Sequence, residues 1–267
     1  MNKNFGKELL NYKDENLFST GFEDVDTYIK GVISGTLITI GARPAMGKTS
    51  FSISILNHLL SQNKKVLLFS LAYSNSMLVR RLISIKSDIC FWELDKIKEK
   101  EFERISKAID FYKESNLYID DKTVCTIENI EEKVKSSKPD IVFIDYIQLV
   151  ETPKAPNYTD SINIAVKEIK RIARENNTIF VIISQLSRAL ETRLDKRPML
   201  SDIRSSSLLP ELSDIVMMIY REEYYNREDY CKNQAEIIFL KNEFGPLGFS
   251  YLNFEKGIFN NPKPIEF

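Results

Sequence analysis

Short apolar runs alternate with amphipathic stretches from residue 37 to residue 184. The runs at residues 37–40, 65–71, 117–119, 140–144 and 178–184 are predominantly apolar, as expected for buried strands. The stretches at 49–60, 76–85, 98–113, 126–135 and 160–176 have the apolar spacing of helices. Apolar strands separated by helices predict an α/β fold with a mainly parallel central sheet and helices on both faces.

The pattern changes after residue 205. Runs at residues 215–220, 235–240 and 248–254 follow one another without a long helix between them. We therefore expect late strands that are partly antiparallel. Residues 1–17 are polar and predict an amino-terminal arm or linker, and residues 18–267 predict one domain.

The composition argues against a membrane protein, a secreted disulfide-rich protein and a zinc protein. The chain has 267 residues, 43% of them hydrophobic, and no apolar run approaches the length of a membrane span. Its amino terminus lacks an apolar signal core. Three separated cysteines and the single histidine, His58, argue against a disulfide framework or a zinc site. These features predict a cytoplasmic protein without a membrane partner.

A phosphate-binding loop lies between the first strand and the first long helix. Residues 42–49 match the pattern of four free positions between a small residue and Gly-Lys-Ser/Thr, and they are Ala42, Arg43, Pro44, Ala45, Met46, Gly47, Lys48 and Thr49. In such a loop, backbone N–H groups surround the phosphates, the lysine reaches the β- and γ-phosphates, and the hydroxyl holds Mg²⁺. This context predicts binding of ATP with Mg²⁺.

Two further polar residues end buried strands. Asp145 follows the apolar run at 141–144, at the sheet edge where ligands bind in this architecture, and is predicted to hold Mg²⁺ through water. A strand-end acid that caps a turn is the alternative. Gln185 ends the next strand, where its amide could sense the γ-phosphate or position water, so we include it with Lys48 and Asp145 as a candidate catalytic residue.

The formal net charge of −1 excludes general attraction to nucleic acid but not a local basic surface. Residues 188–204 carry a modest positive excess, with Arg188, Arg193, Lys196, Arg197 and Arg204 against three acids. A solvated loop and a nucleic-acid contact both fit this segment on charge alone.

Taken together, these motifs resemble the carboxy-terminal ATPase domain of DnaB-type replicative helicases, a RecA-like family. The resemblance spans roughly residues 18–254. It rests on Ser19-Thr20-Gly21-Phe22 with Asp24 and Asp26, the loop at 41–49, Asp145-Tyr146-Ile147-Gln148-Leu149, Ser184-Gln185-Leu186-Ser187-Arg188, Asp195-Lys196-Arg197-Pro198, Ser201-Asp202-Ile203-Arg204, Asp214, Tyr220-Arg221, and Lys241 with Gly245-Pro246.

The resemblance implies a RecA-like P-loop NTPase that assembles into a ring, usually of six subunits, with ATP held between neighbours. It implies that Lys241 reaches the nucleotide of a neighbouring subunit. It also implies single-stranded DNA in the central channel, with Arg188, Arg204, Ser205 and Ser206 as candidate contacts to its backbone. Other replication proteins are further expected partners.

The chain departs from the family at two positions of the hydrolytic site. Where the family has a glutamate that polarises the attacking water, this chain has Ala72, followed by Tyr73. Where the family has an arginine two positions after the lysine, this chain has Glu243. A milder departure is Ser205-Ser206-Ser207, which replaces an acid and a glycine. The changes at Ala72 and Glu243 lead to the hypothesis of intact ATP binding with impaired hydrolysis.

Three functional interpretations follow. The first is the ATPase domain of an ATP-dependent replicative DNA helicase. The second is a catalytically weak, nucleotide-binding paralogue that acts as a regulator or loader in replication. The third is a RecA-like regulatory ATPase outside replication. The first is favoured because several DNA-facing motifs persist.

Overall fold

The structure is a computed structural model that describes residues 18–120, 122, 124–152, 155–203, 206–226 and 232–262. The predicted arm at residues 1–17 lies outside the described residues, as do Arg204 and Ser205.

The described residues form a nine-stranded central sheet. Its strands are β1 (Leu37–Ala42), β2 (Val66–Ser70), β3 (Leu117–Asp120), β5 (Ile141–Asp145), β7 (Ile179–Gln185), β8 (Ile215–Tyr220), β9 (Gln234–Asn242), β10 (Gly248–Glu255) and β11 (Ile258–Asn260). The order is β11-β10-β9-β8-β1-β7-β5-β2-β3, and the strands from β8 to β3 are parallel. Strands β9, β10 and β11 pair antiparallel, which confirms the change predicted after residue 205.

Strands β4 (Cys125–Thr126) and β6 (Val150–Glu151) form a separate two-stranded pair. The α-helices of the described part of the chain are α1 (Glu23–Asp26), α2 (Lys48–Ser61), α3 (Asn75–Ser87), α4 (Glu99–Glu114), α5 (Ile127–Ser137), α6 (Tyr158–Glu175), α7 (Leu208–Leu212) and α8 (Glu222–Tyr225). The five long helices lie where the apolar spacing predicts them. None of the helices in the described ranges combines the length and apolar character needed to cross a membrane.

The central strands are buried on both faces, as their continuous apolar sequences require. On one face, Ile40 and Ile183 share a hydrophobic cluster with Phe51 of α2. On the other, Ile182 shares a second cluster with Ile169 of α6. The sheet is therefore fixed between two helical layers, and its strand ends are held in place.

The carboxyl ends of these strands position the candidate site. Ala42 of β1 is in register with Gln185 of β7, and Ser70 of β2 is in register with Asp145 of β5. The phosphate-binding loop, Asp145 and Gln185 therefore meet at one edge of the sheet, which is where open parallel sheets bind ligands.

Candidate nucleotide-binding site

The phosphate-binding loop, residues 42–49, leaves β1 and enters α2 through Gly47. The φ angle of Gly47 is 94°, a left-handed conformation that favours glycine. A Cβ at this position would also lie 2.8 Å from ring carbons of Phe254 and Phe259. Gly47 is thus required both by the turn and by the aromatic residues behind it. The first N–H groups of α2 face the loop and suit an anion.

Thr49 and Asp145 form the core of the predicted metal site. The Thr49 hydroxyl donates a 2.8 Å hydrogen bond to Asp145 Oδ2. Asp145 Oδ1 is buried and has no hydrogen-bond partner among the described residues. Burial raises the pKa of this carboxyl, and the Thr49 hydrogen bond opposes that shift. The Thr49 hydroxyl and the unpaired Asp145 Oδ1 are both oxygen ligands, which hard cations prefer. Their arrangement therefore fits an Mg²⁺ ion.

Lys48 supplies positive charge at the start of α2. Burial lowers the pKa of its ammonium group, and the nearby Asp145 carboxylate opposes that shift. The guanidinium groups of Arg43 and Arg81 lower the pKa further. A bound polyphosphate would supply the negative charge that this group of cations lacks.

A cavity of about 530 Å³ opens in front of the loop. It brings together Lys48 and Thr49 with residues that come from distant parts of the sequence. The lining residues that the sequence alone does not assign to the site are Ser50, Tyr73, Arg81, Trp92, Arg221, Glu223, Asn233, Phe254, Lys256 and Gly257. Trp92 is one of the exposed residues among them, with 67% of its surface accessible.

Arg221 joins the late strands to the loop. Its guanidinium lies 4.1 Å from the centre of the Phe254 ring, and one of its nitrogens donates a 3.3 Å hydrogen bond to the Ala45 carbonyl. It also pairs with Glu223 at 3.2 Å. Arg221 of the motif Tyr220-Arg221 therefore lines the cavity, and its partner Ala45 lies 176 residues earlier in the sequence.

Arg43 connects the loop to the segment after β7. Its guanidinium is buried, donates a 2.8 Å hydrogen bond to the Leu186 carbonyl and pairs with Glu191 at 2.8 Å. Gln185 is half-buried at the end of β7. Its backbone N–H donates to the Gln148 side chain at 3.3 Å, which ties β7 to the turn after β5.

The predicted DNA-contact residues have different surroundings. Arg188 is exposed at the start of a short 3-10 helix, Arg188–Thr192. Ser206 is buried, donates to the Asn163 side chain at 2.8 Å and accepts from the Leu209 N–H at 2.9 Å. These hydrogen bonds use the Ser206 hydroxyl within the chain.

Two of the other basic residues in this segment form ion pairs inside the domain. Arg193 pairs with Asp202 at 2.8 Å, and Arg197 pairs with Glu236 at 2.7 Å. The positive excess of residues 188–204 is therefore partly neutralised by structural contacts. Arg188 is the member of the predicted DNA-contact set that the structure describes as exposed.

Lys241 lies in a separate cavity of about 700 Å³, whose wall also includes Ser206. Its ammonium donates a 2.7 Å hydrogen bond to the Glu211 carbonyl and lies 3.4 Å from Glu243. Lys241 is therefore away from the phosphate-binding loop of its own chain. Ala72, the other predicted departure from the family pattern, is exposed two residues after β2.

Comparisons with known proteins agree with this geometry. The family described as DnaB-like helicase C-terminal domain matches residues 18–261. The chain is 33% identical over 260 residues to the replicative DNA helicase DnaB of Geobacillus stearothermophilus, covering 93% of this chain and 57% of that protein. It is 34% identical over 246 residues to the replicative DNA helicase DnaC of Bacillus subtilis (strain 168), covering 89% of this chain and 54% of that protein.

A solved structure of a DnaB-like replicative helicase, described with its interactions with primase, has a TM-score of 0.90 and 33% identity. The comparison covers 97% of this chain and 67% of that one. The chain thus spans a little over half the length of the curated relatives it matches. The matched sequence, the parallel sheet and the loop at its edge agree, and the chain belongs to the family of DnaB-like helicase C-terminal domains.

Proposed function

We propose that this chain is the ATPase domain of a replicative DNA helicase, and that it binds ATP with Mg²⁺ at the phosphate-binding loop. The observation that carries this proposal is the pairing of Thr49 with Asp145, whose second carboxylate oxygen is buried without a partner in the described structure. The family to which the chain belongs supports the same function.

In this proposal each group has a distinct task. The backbone N–H groups at the start of α2 and the Lys48 ammonium hold the phosphates. The Thr49 hydroxyl and the Asp145 carboxylate hold the metal ion, whose bound charge offsets that of the β- and γ-phosphates. Gln185 lies at the same sheet edge and is proposed to orient water or sense the γ-phosphate. Trp92 is the chain's one tryptophan and lines the cavity, so its fluorescence should report binding.

We further propose that the domain works as a cytoplasmic ring, most simply of six subunits, around single-stranded DNA. Exposed Arg188 supports a contact to the DNA backbone, and Arg204 and Ser205 retain that proposed role from the sequence. Lys241 supports a contact in trans, because it lies away from its own chain's phosphate-binding loop. Other replication proteins are proposed partners of the assembled protein.

Hydrolysis is proposed to be slow, because Ala72 and Glu243 stand where the family has a glutamate and an arginine. Glutamate can polarise water, and an arginine offsets the charge that develops on the transferred phosphoryl group. Neither alanine nor glutamate can replace these functions at their respective positions.

Binding and assembly should be measured together. Titration of ATP with Mg²⁺ should change Trp92 fluorescence, and sedimentation with nucleotide and a single-stranded oligonucleotide should show a ring-sized species that salt dissociates from DNA. Absence of nucleotide binding would refute the proposal. Binding and assembly without strand displacement, even beside an active helicase, would instead favour the regulator or loader.

A further inference from the structure

The residue that follows Ala72 reaches the predicted metal site. The hydroxyl oxygen of Tyr73 lies 3.5 Å from Thr49 Oγ1, at the limit of a hydrogen bond. Tyr73 also lines the cavity in front of the phosphate-binding loop. A phenol therefore stands beside the hydroxyl proposed to hold Mg²⁺, in a loop where the family places its glutamate one residue earlier.

The ring of Tyr73 is held by contacts that do not involve its hydroxyl. The Arg81 guanidinium of α3 lies 4.7 Å from the centre of the Tyr73 ring and 5.3 Å from that of Phe91. A cation at this distance from an aromatic face is attracted by the ring quadrupole. The phenol ring is thus positioned by Arg81, and the long 3.5 Å contact with Thr49 leaves its hydroxyl able to donate to a ligand.

The sheet order defines which part of a nucleotide Tyr73 would meet. The phosphate-binding loop follows β1, whereas Tyr73 follows β2, and β7 and β5 lie between these strands. Thr49 and Asp145 bridge the two sides. The loop N–H groups surround the β-phosphate in such sites. A group that approaches Thr49 from the β2 side therefore faces the terminal end of the phosphate chain.

We propose that Tyr73 donates a hydrogen bond to the terminal phosphate of a bound nucleoside triphosphate, and so distinguishes a triphosphate from a diphosphate. This inference rests on the proposed function, because it names a further residue of the same site. A phenol supplies a donor of neutral charge that suits phosphate oxygens. The Tyr73 phenol would hold the terminal phosphate. It would not take over the task of the glutamate that polarises water in the family.

The test is Tyr73→Phe, which removes the hydroxyl and keeps the ring on Arg81. Affinities for a non-hydrolysable ATP analogue and for ADP, each with Mg²⁺, are measured by calorimetry and by Trp92 fluorescence. We expect affinity for the triphosphate to fall about tenfold, the effect of a hydrogen bond to a charged group. Affinity for ADP should change by less than about twofold, since ADP lacks the group that Tyr73 contacts.

Tyr118→Phe is the matched control, because Tyr118 is exposed on β3, outside the cavity, and the same atom is removed. It should leave both affinities unchanged. Equal triphosphate affinities of wild type and Tyr73→Phe would overturn the inference alone, as would equal losses for both nucleotides. A wild-type protein that binds neither nucleotide would overturn the proposed function, and the inference with it.

Discussion

The inner and outer parts of the predicted ATPase site differ in how completely the chain builds them. The inner part consists of Lys48, Thr49 and Asp145, whose groups are buried or half-buried and meet at the ends of fixed strands. The outer part consists of Lys241 and Glu243 at the end of β9, where the lysine is paired with its own chain. The inner part is prepared for a ligand, whereas the outer part is occupied by internal contacts.

This difference indicates which step one chain can support by itself and which step needs a neighbouring subunit. Nucleotide binding draws on groups that the fold positions before any ligand arrives, and such positioning lowers the free energy required for binding. The resemblance implies that hydrolysis depends on a glutamate after β2 and on an arginine from a neighbouring subunit. The sequence predicts that this chain differs at both positions, at Ala72 and Glu243.

The largest effect should come from introducing the expected family residues at both predicted departures, Ala72 and Glu243, together. The double variant Ala72→Glu with Glu243→Arg should raise the rate of ATP hydrolysis by about 10³-fold, within the range for a glutamate or an arginine finger. Steady-state turnover with single-stranded DNA checks this expectation. The two single variants are the controls, and their effects are not expected to multiply. A double variant with wild-type turnover would mean that neither Ala72 nor Glu243 limits the rate of hydrolysis.

Breaking the inner part at Lys48 should have the next largest effect. Lys48→Ala removes the buried ammonium that faces the phosphates, so ATP affinity should fall by about 10²-fold, as when one partner of a buried charge pair is removed. Calorimetry measures the loss. Lys107→Ala is the control, because Lys107 is exposed and pairs with Glu103 on α4. A tenfold or smaller loss would show that the backbone N–H groups carry most of the binding.

The inner part should also be less stable without its ligand. Burial raises the pKa of Asp145 above its usual value of about 3.9, so ionising this carboxyl lowers the stability of the fold. The loss grows as the pH rises from that value through the raised pKa of the folded protein and is constant at higher pH. Asp145→Asn should therefore raise the free energy of unfolding by about 1 kcal/mol at pH 8 and by less near pH 4.

Chemical unfolding at the two pH values measures this change. Asp95→Asn is the control, because the Arg80 hydrogen bond lowers the pKa of that exposed carboxyl. The same Asp145→Asn variant should lose the enhancement of ATP affinity by Mg²⁺. Destabilisation of the nucleotide-free protein would show that Asp145 has a structural role at this edge.

The smallest effect should come from Glu243→Gln. The ion pair between Lys241 and Glu243 is partly exposed, and such pairs contribute about 0–1 kcal/mol. The free energy of unfolding should change by less than about 0.5 kcal/mol, as measured by urea unfolding. A larger loss would show that Glu243 stabilises the end of β9, and the outer part would then have a structural function.

The central part of the fold follows closely from the sequence. Continuous apolar runs at 141–144 and 178–184 predict the buried parallel strands, and they lie within one residue of β5 and β7. The loop at 42–49 and Asp145 also follow, because their spacing and position in strand-loop-helix units define their geometry. The pattern of nearby residues is sufficient to predict these parts, because residues close in the sequence determine their structure.

The rest of the cavity does not follow from local pattern. Arg81, Arg221 and Phe254 reach it from α3, from the end of β8 and from β10, so their positions depend on how distant strands pair. Strand β11 is also absent from the prediction, since its three residues are too few to show a period. The ion pair of Arg197 with Glu236 likewise appears only once β9 is in place.

Arg43 has a thermodynamic consequence. Through the Leu186 carbonyl and Glu191, it makes the phosphate-binding loop and the start of the segment that contains Arg188 one connected unit. If a nucleotide shifts this unit and thereby changes the affinity for a strand bound at Arg188, linkage requires the strand to change nucleotide affinity by the same factor. The Arg43 guanidinium would then couple the two binding sites, and each ligand would change the affinity for the other by the same factor.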